Sequence, residues 1–151
     1  MPDLSHKVAL VTGAAHRVGR SIALALAAAG AHVVVHHYQS TDAAQDTLNA
    51  IRQFGVRALP VQADQSDPAA VRAVFETVDA AFGRLNILVN SASMFQRSDF
   101  LTLEAADWQR TLDVNLTGPF LLSQQAARLM QSQTPTGGVI INILDNIGQQ
   151  P

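Results

Sequence analysis

Thr12, Gly13, Ala14, Ala15, His16, Arg17, Val18 and Gly19 lie between an apolar run, Val8 to Val11, and an alanine-rich stretch, Ser21 to Ala29. A strand that turns through glycine directly into a helix brings backbone N–H groups and the positive helix end to the place where a phosphate can sit. This segment therefore points to a dinucleotide. It is not a clean G-x-G-x-x-G, because Arg17 stands where a middle glycine is often found. Taken alone, the segment also fits ordinary strand–turn–helix packing, so the rest of the chain has to decide.

Outward from this turn, short β-rich runs alternate with helical stretches. Lys7 to Thr12 reads as a strand and Val18 to Ala29 as a helix closed by Gly30. His32 to His37 is a second strand, and Thr41 or Asp42 caps a helix running to Phe54 and Gly55. Ala58 to Gln62 is a third strand, with Pro60 suiting a sheet edge. Asp67 and Pro68 open a helix to Phe82, ended by Gly83, and Leu85 to Asn90 is the fourth strand. One long helix is expected over Glu104 to Gln131, and Gly138 to Ile143 is a fifth strand.

Strands separated by helices imply right-handed crossovers and a parallel sheet covered on both faces. Val33 to Val35 and Val139 to Ile141 are continuous apolar runs, as buried parallel strands require. The expected fold is α/β, a doubly wound parallel sheet of Rossmann type with strand order 3-2-1-4-5. Its ligand crevice lies at the carboxyl ends of the first and fourth strands.

Composition limits the alternatives. With 151 residues, 48% hydrophobic and 15% charged, the chain suits one dinucleotide-binding domain, residues 1–151, and not a disordered segment. A net charge of -2 without a basic run argues against nucleic acid as a partner. The chain has no cysteine, so neither a disulfide nor a thiolate metal site is possible, and no metal is expected. No apolar stretch approaches membrane-spanning length, and Met1 to Lys7 lacks the apolar centre of a signal peptide. A soluble, cytoplasmic protein acting on a small molecule is the expectation.

Further markers fall at the strand ends. Asp64 follows the third strand, where its carboxylate could accept the adenine amino group. Asn90, Ser91 and Ala92 follow the fourth strand, with small residues that let the backbone approach a cofactor. Asn115 sits within the long helix, and Asp145 closes the fifth strand. Together with Gly13 to Gly19, these residues resemble the short-chain dehydrogenase/reductase family over essentially the whole chain. His16 and Arg17 before the last glycine, Ser93 and Phe95 after the fourth strand, and Asp145 where most members carry a catalytic serine are similar to its pteridine reductase branch.

The resemblance implies that Gly13, His16, Arg17, Val18 and Gly19 hold the coenzyme with Asp64, Asn90, Ser91 and Ala92. It further implies that Phe95 stacks a flat pterin near Ser93, that Arg17 touches both pyrophosphate and substrate, and that the Asn115 carbonyl holds a relay water. Asp145 would act at the substrate. Each marker also has a plain structural reading: Asn115 as a helix kink, Phe95 as lid packing, Asp145 as a solvated turn residue, and Asp64 as the start of a turn. Trp108, Phe120 and Met130 on the long helix read as core or interface.

NADP is favoured over NAD because His36, His37, Tyr38, Gln39 and Ser40 supply no carboxylate at the end of the second strand. Arg17, His36 and Ser40 would tolerate or bind a 2′-phosphate. Gln39 departs from the branch pattern, which has arginine there, and weakens that grip. The family's proton-donating tyrosine and the lysine one turn later would lie past Pro151. The chain's single tyrosine, Tyr38, and single lysine, Lys7, are wrongly placed to replace them.

The expectation is thus the N-terminal portion of a longer reductase, inactive alone, lacking on the order of a hundred residues. The complete enzyme would be an NADPH-dependent reductase of a pterin or a small carbonyl, and a homo-oligomer, tetramer or dimer. A generic ketone or 3-oxoacyl reductase is the enzymatic alternative. A catalytically inactive nucleotide-binding or interaction module is the alternative of another class.

Overall fold

The computed structural model describes residues 3–145. Five parallel strands, β1 (Val8–Val11), β2 (His32–His37), β3 (Ala58–Gln62), β4 (Ile87–Asn90) and β5 (Val139–Asn142), form one sheet in the order β3-β2-β1-β4-β5. This is the order expected from the sequence. The helices are α1 (Arg17–Ala28), α2 (Thr41–Arg52), α3 (Pro68–Phe82), α4 (Ala105–Leu112) and α5 (Gly118–Ser132).

Strand pleating sorts the apolar residues between two cores. Val11, Val33, Val35 and Val89 pack under α1 and α2 with Ala23, Ala27, Leu48 and Ile51. Leu10, Val34 and Leu88 pack on the other face under α3 and α5, with Val71, Phe75, Leu122 and Ala126. Because both faces are covered, the central strands need no polar alternation. Each fully buried Val or Leu contributes about 1.5–3 kcal/mol relative to exposure.

Local chemistry sets the helix ends, with one correction. Asp67 caps α3, its carboxylate accepting from the Ala69 N–H at 2.8 Å; Pro68 follows, and Gly83 closes the helix in the left-handed region at φ 63°. Neither Thr41 nor Asp42 caps α2. Ser40 occupies that position without a side-chain cap, and Thr41 is already the first helical residue.

Two further expectations need adjustment. β5 is not a buried strand: Val139 is 54% and Ile141 41% exposed, while Ile140 packs on the α3–α5 core. The strand lies at the outer edge of the described sheet, and α1 and α2 cover β1 and β2 on the opposite face without reaching it. The long helix is interrupted, because Asp113–Thr117 forms a π turn between α4 and α5. Within it Met130 is buried, whereas Trp108 and Phe120 are exposed.

Candidate coenzyme site

Parallel strands place every strand's carboxyl end on one edge of the sheet. The loops after β1, β3 and β4, the β2–α2 connection and the segment after β5 therefore share that edge, and nearly all the residues singled out above lie on them.

The β1–α1 loop is built around two glycines. Gly13 has φ 63°, and a Cβ there would meet the Ala92 Cα at 3.0 Å. Gly19, buried in the first turn of α1, faces back onto the loop: a Cβ would meet the Gly13 carbonyl oxygen at 2.4 Å and its carbon at 2.9 Å. Helix, loop and β4 turn thus touch backbone to backbone, which only hydrogen side chains permit.

Arg17 adopts φ 46°, a left-handed conformation that costs an ordinary residue about 1–2 kcal/mol. His16 occupies the N-cap position of α1 without a side-chain cap, and the first turn carries no acid. The α1 amides are therefore not closed off by a side chain as those of α3 are by Asp67, which leaves a favourable end for an anion. His16, Arg17 and Val18 are exposed. Beside them a shallow cleft of about 370 Å³ is lined by Ala15, His16, Arg17, Arg20, Ala43 and Asp46.

His36 requires a correction. It is 3% exposed and does not present itself to a ligand. Its Nδ1 accepts the Gly13 N–H at 3.3 Å, so the ring proton sits on Nε2 and donates to the Ala63 carbonyl at 3.1 Å. Burial pushes the imidazole down to about 4, outweighing the Ala63 hydrogen bond. His36 is thus a neutral brace beneath the glycine loop, not a cation for a 2′-phosphate. Ser40 is half-buried at the start of α2, and its carbonyl accepts from the Ala44 N–H at 2.9 Å.

Thr12 and Asn90 organise the β1 and β4 ends. Thr12, fully buried, accepts both the Ser91 and the Ala92 N–H on its hydroxyl oxygen, each at 2.9 Å. The Asn90 amide donates to the Ser123 hydroxyl at 3.1 Å and to Asn142 Oδ1 at 2.8 Å, tying β4 to α5 and β5. Thr12→Val keeps the shape but leaves two half-buried N–H groups without acceptors, a cost of about 2 kcal/mol. Urea titration should register that loss, and Thr12→Ser should recover most of it.

Asp64 is already engaged. Its Oδ1 accepts from the Ser66 N–H at 2.9 Å and the Ser66 hydroxyl at 2.7 Å, and its Oδ2 pairs with Arg110 at 2.8 Å. Burial raises the carboxyl, and the Ser66 and Arg110 hydrogen bonds outweigh it, holding the group below its ordinary value. The Arg110 guanidinium also donates to the Ser66 hydroxyl.

Past β4, Ser93 and Phe95 are exposed, Phe95 by 83%. The Asn115 carboxamide clamps Met94, accepting its N–H and donating to its carbonyl, both at 2.7 Å. Asn115 sits in the π turn, where the Gly118 N–H reaches back to the Asp113 carbonyl. Pro119 follows and has no N–H for the carbonyls four and five residues back, those of Asn115 and Val114. Asp145 is exposed, three residues past the end of β5.

Thr12, Gln65 and Arg110 join this edge beyond the residues expected from the sequence. Thr12 had a usable signal, a hydroxyl immediately before the loop glycine. Arg110 is 46 residues from Asp64 and had none.

The short chain dehydrogenase family model matches residues 7–151. The chain belongs to the short-chain dehydrogenase family. It is 39% identical over 148 residues to a 3-oxoacyl-(acyl-carrier-protein) reductase of Synechocystis, a match covering 98% of this chain and 59% of that protein. Among solved structures, a short-chain type dehydrogenase/reductase from Mycobacterium marinum superposes with a TM-score of 0.90 at 37% identity, covering 98% of this chain and 59% of that one. A short chain dehydrogenase from Burkholderia cenocepacia in complex with NADP has a TM-score of 0.80 at 42% identity, covering 83% of this chain and 51% of that one. The short-chain dehydrogenase chain described here therefore spans under two thirds of the length of these relatives.

Proposed function

We propose that the complete protein is an NADPH-dependent reductase that transfers hydride to a pterin or dihydropteridine, or to a small carbonyl compound. The observation that carries the coenzyme reading is the Gly13–Gly19–Ala92 contact, a backbone cradle that any Cβ would fill. Its residues fit a dinucleotide. The loop amides and the uncapped start of α1 would hold the diphosphate, and the turn at Ser91 and Ala92 would lie against the nicotinamide half. Asp64 would face the adenine with Oδ2, whose second lone pair is left over from the Arg110 ion pair. When bound, the coenzyme supplies the hydride.

The chain's own residues do the rest. Arg17 would meet the diphosphate on one side and the substrate on the other. Ser93 and Phe95 would hold a flat ring, and Asp145 would act at the substrate beside them. Asn115 would hold a relay water on its carbonyl, a group that Pro119 deprives of its usual helical donor. NADPH is favoured because no acid lies between His36 and Ser40, and because Arg17 and Arg20 line the cleft beside the loop.

Arg17, Ser93, Phe95 and Asp145 favour the pterin through their resemblance to the pteridine reductase branch. The name of the Synechocystis relative favours a 3-oxoacyl substrate as the second reading. Exposed Trp108, Leu116 and Phe120 along α4, the π turn and α5 support a homo-oligomer, dimer or tetramer, and the cysteine-free composition suits a cytoplasmic setting.

Calorimetry with NADPH and NADH tests the coenzyme, and uptake of neither overturns the proposal. Arg17→Gly adds a sharper comparison. Glycine accepts φ 46° freely, so stability should be unchanged or slightly higher, while NADPH affinity falls about tenfold with the lost cation. Assays of the complete protein with dihydrobiopterin and with simple ketones separate the substrates, and turnover of ketones alone removes the pterin.

A further inference from the structure

Three consecutive residues after β3 fasten onto the helix that carries Asn115. Asp64 and Ser66 hold Arg110 of α4 at the surface. Between them Gln65 turns inward and is 4% exposed. Its Nε2 donates to the Val114 carbonyl at 2.7 Å and to the Ala92 carbonyl at 3.3 Å. Both partners are carbonyl oxygens, so the amide nitrogen, not the oxygen, must face them.

This arrangement costs stability. Gln65 Oε1 is buried without a hydrogen-bond partner among the described residues. An unbranched apolar side chain of similar length would fill the same space without an orphaned oxygen. Two neighbours in the helix match the glutamine in particular. Pro119 removes the main-chain donor that the π turn would direct at Val114, leaving a carbonyl for Gln65 to fill. Gly118 leaves room, since a Cβ there would meet Gln65 Cγ and the Gln65 carbonyl oxygen, each at 2.9 Å.

We propose that Gln65 is a positioning residue, setting the separation between the Ala92 turn and the π turn that presents Asn115. The segment 92–94 is then stitched to the π turn twice: at Ala92 through buried Gln65, and at Met94 through Asn115. Slack in the first stitch would let Asn115 drift relative to the coenzyme floor. The role in catalysis rests on the coenzyme reading above, whereas the stitch itself does not.

Gln65→Met in the complete protein keeps the shape and removes the donor. Hydrogen exchange without coenzyme should accelerate about fivefold to tenfold in segments 91–95 and 113–118, with segment 68–78 of α3 unchanged. With coenzyme and substrate, kcat should fall about tenfold while substrate KM changes little. Gln65→Glu supplies a donor only when protonated, so its kcat deficit should shrink as pH is lowered relative to the wild type, a pattern that space-filling alone would not produce. Wild-type exchange rates in Gln65→Met, or a wild-type pH profile in Gln65→Glu, overturn the proposal. If the wild-type protein takes up no coenzyme, the reductase reading fails by itself, and the exchange comparison still supports or overturns the stitch.

Discussion

Gly19→Ala is expected to cost about 3 kcal/mol of stability and to abolish measurable coenzyme binding. The new methyl would sit 2.4 Å from the Gly13 carbonyl oxygen and 3.2 Å from that of Thr12, and both obstacles are backbone. No rotamer change relieves such a contact. Either α1 lifts from the loop or the loop moves toward Ala92, which already lies 3.0 Å from where a Gly13 Cβ would be. Both movements break the cradle. For a chain of this size the loss corresponds to a fall in Tm on the order of 10 °C, readable by thermal denaturation. Gly55→Ala is the control. Its left-handed φ, 76°, strains an alanine by itself, but a Cβ there has nothing within 4 Å, so the change should cost about 1 kcal/mol and leave coenzyme affinity intact. Equal affinity losses in the two variants would refute the cradle.

The second large effect is acid destabilisation through His36. Its folded value is depressed to about 4 from the ordinary 6.5. As pH falls through 6.5 the unfolded chain takes up a proton that the folded chain refuses, so this contribution is complete above 6.5 and drains away toward pH 4. The full span amounts to about 3 kcal/mol. Burial depresses His32 and His37 in the same direction, whereas Asp64, lowered from 3.8, contributes only at more acid pH. His36→Leu should flatten the dependence between pH 6.5 and 4. At neutral pH it should lose about 2 kcal/mol, because the Gly13 N–H and the buried Ala63 carbonyl are left unpaired. Chemical denaturation across this pH range checks both statements. An undiminished acid slope in His36→Leu would move the effect to other groups.

His36 also marks the limit of reading a site along the chain. Its place at the end of β2 suggested a phosphate ligand, and that place is right; its direction is not. In a strand, successive side chains face opposite sides of the sheet, and which side is closed depends on what packs there. Closure comes from Gly13 and Ala63, 23 and 27 residues away. Asp64 shows the same limit in milder form, since its position after β3 was legible but the ion pair with Arg110 was not. Val139 to Ile141 reads as a buried strand by composition, yet burial requires a layer over each face, and a residue pattern cannot supply that layer.

The turn glycines, the Asp67–Pro68 helix start, the apolar β2 core and the alternation that dictates strand order were all readable directly. Each depends on the conformational preference of a residue and its near neighbours, which travels with the chain wherever it goes. Tautomers, filled carbonyls and tight approaches were another matter: Gly13 on His36, Gln65 between Ala92 and Val114, Asp64 with Arg110. These arise only when folding brings distant segments within hydrogen-bonding range, because such forces act over a few ångströms and are indifferent to separation in sequence.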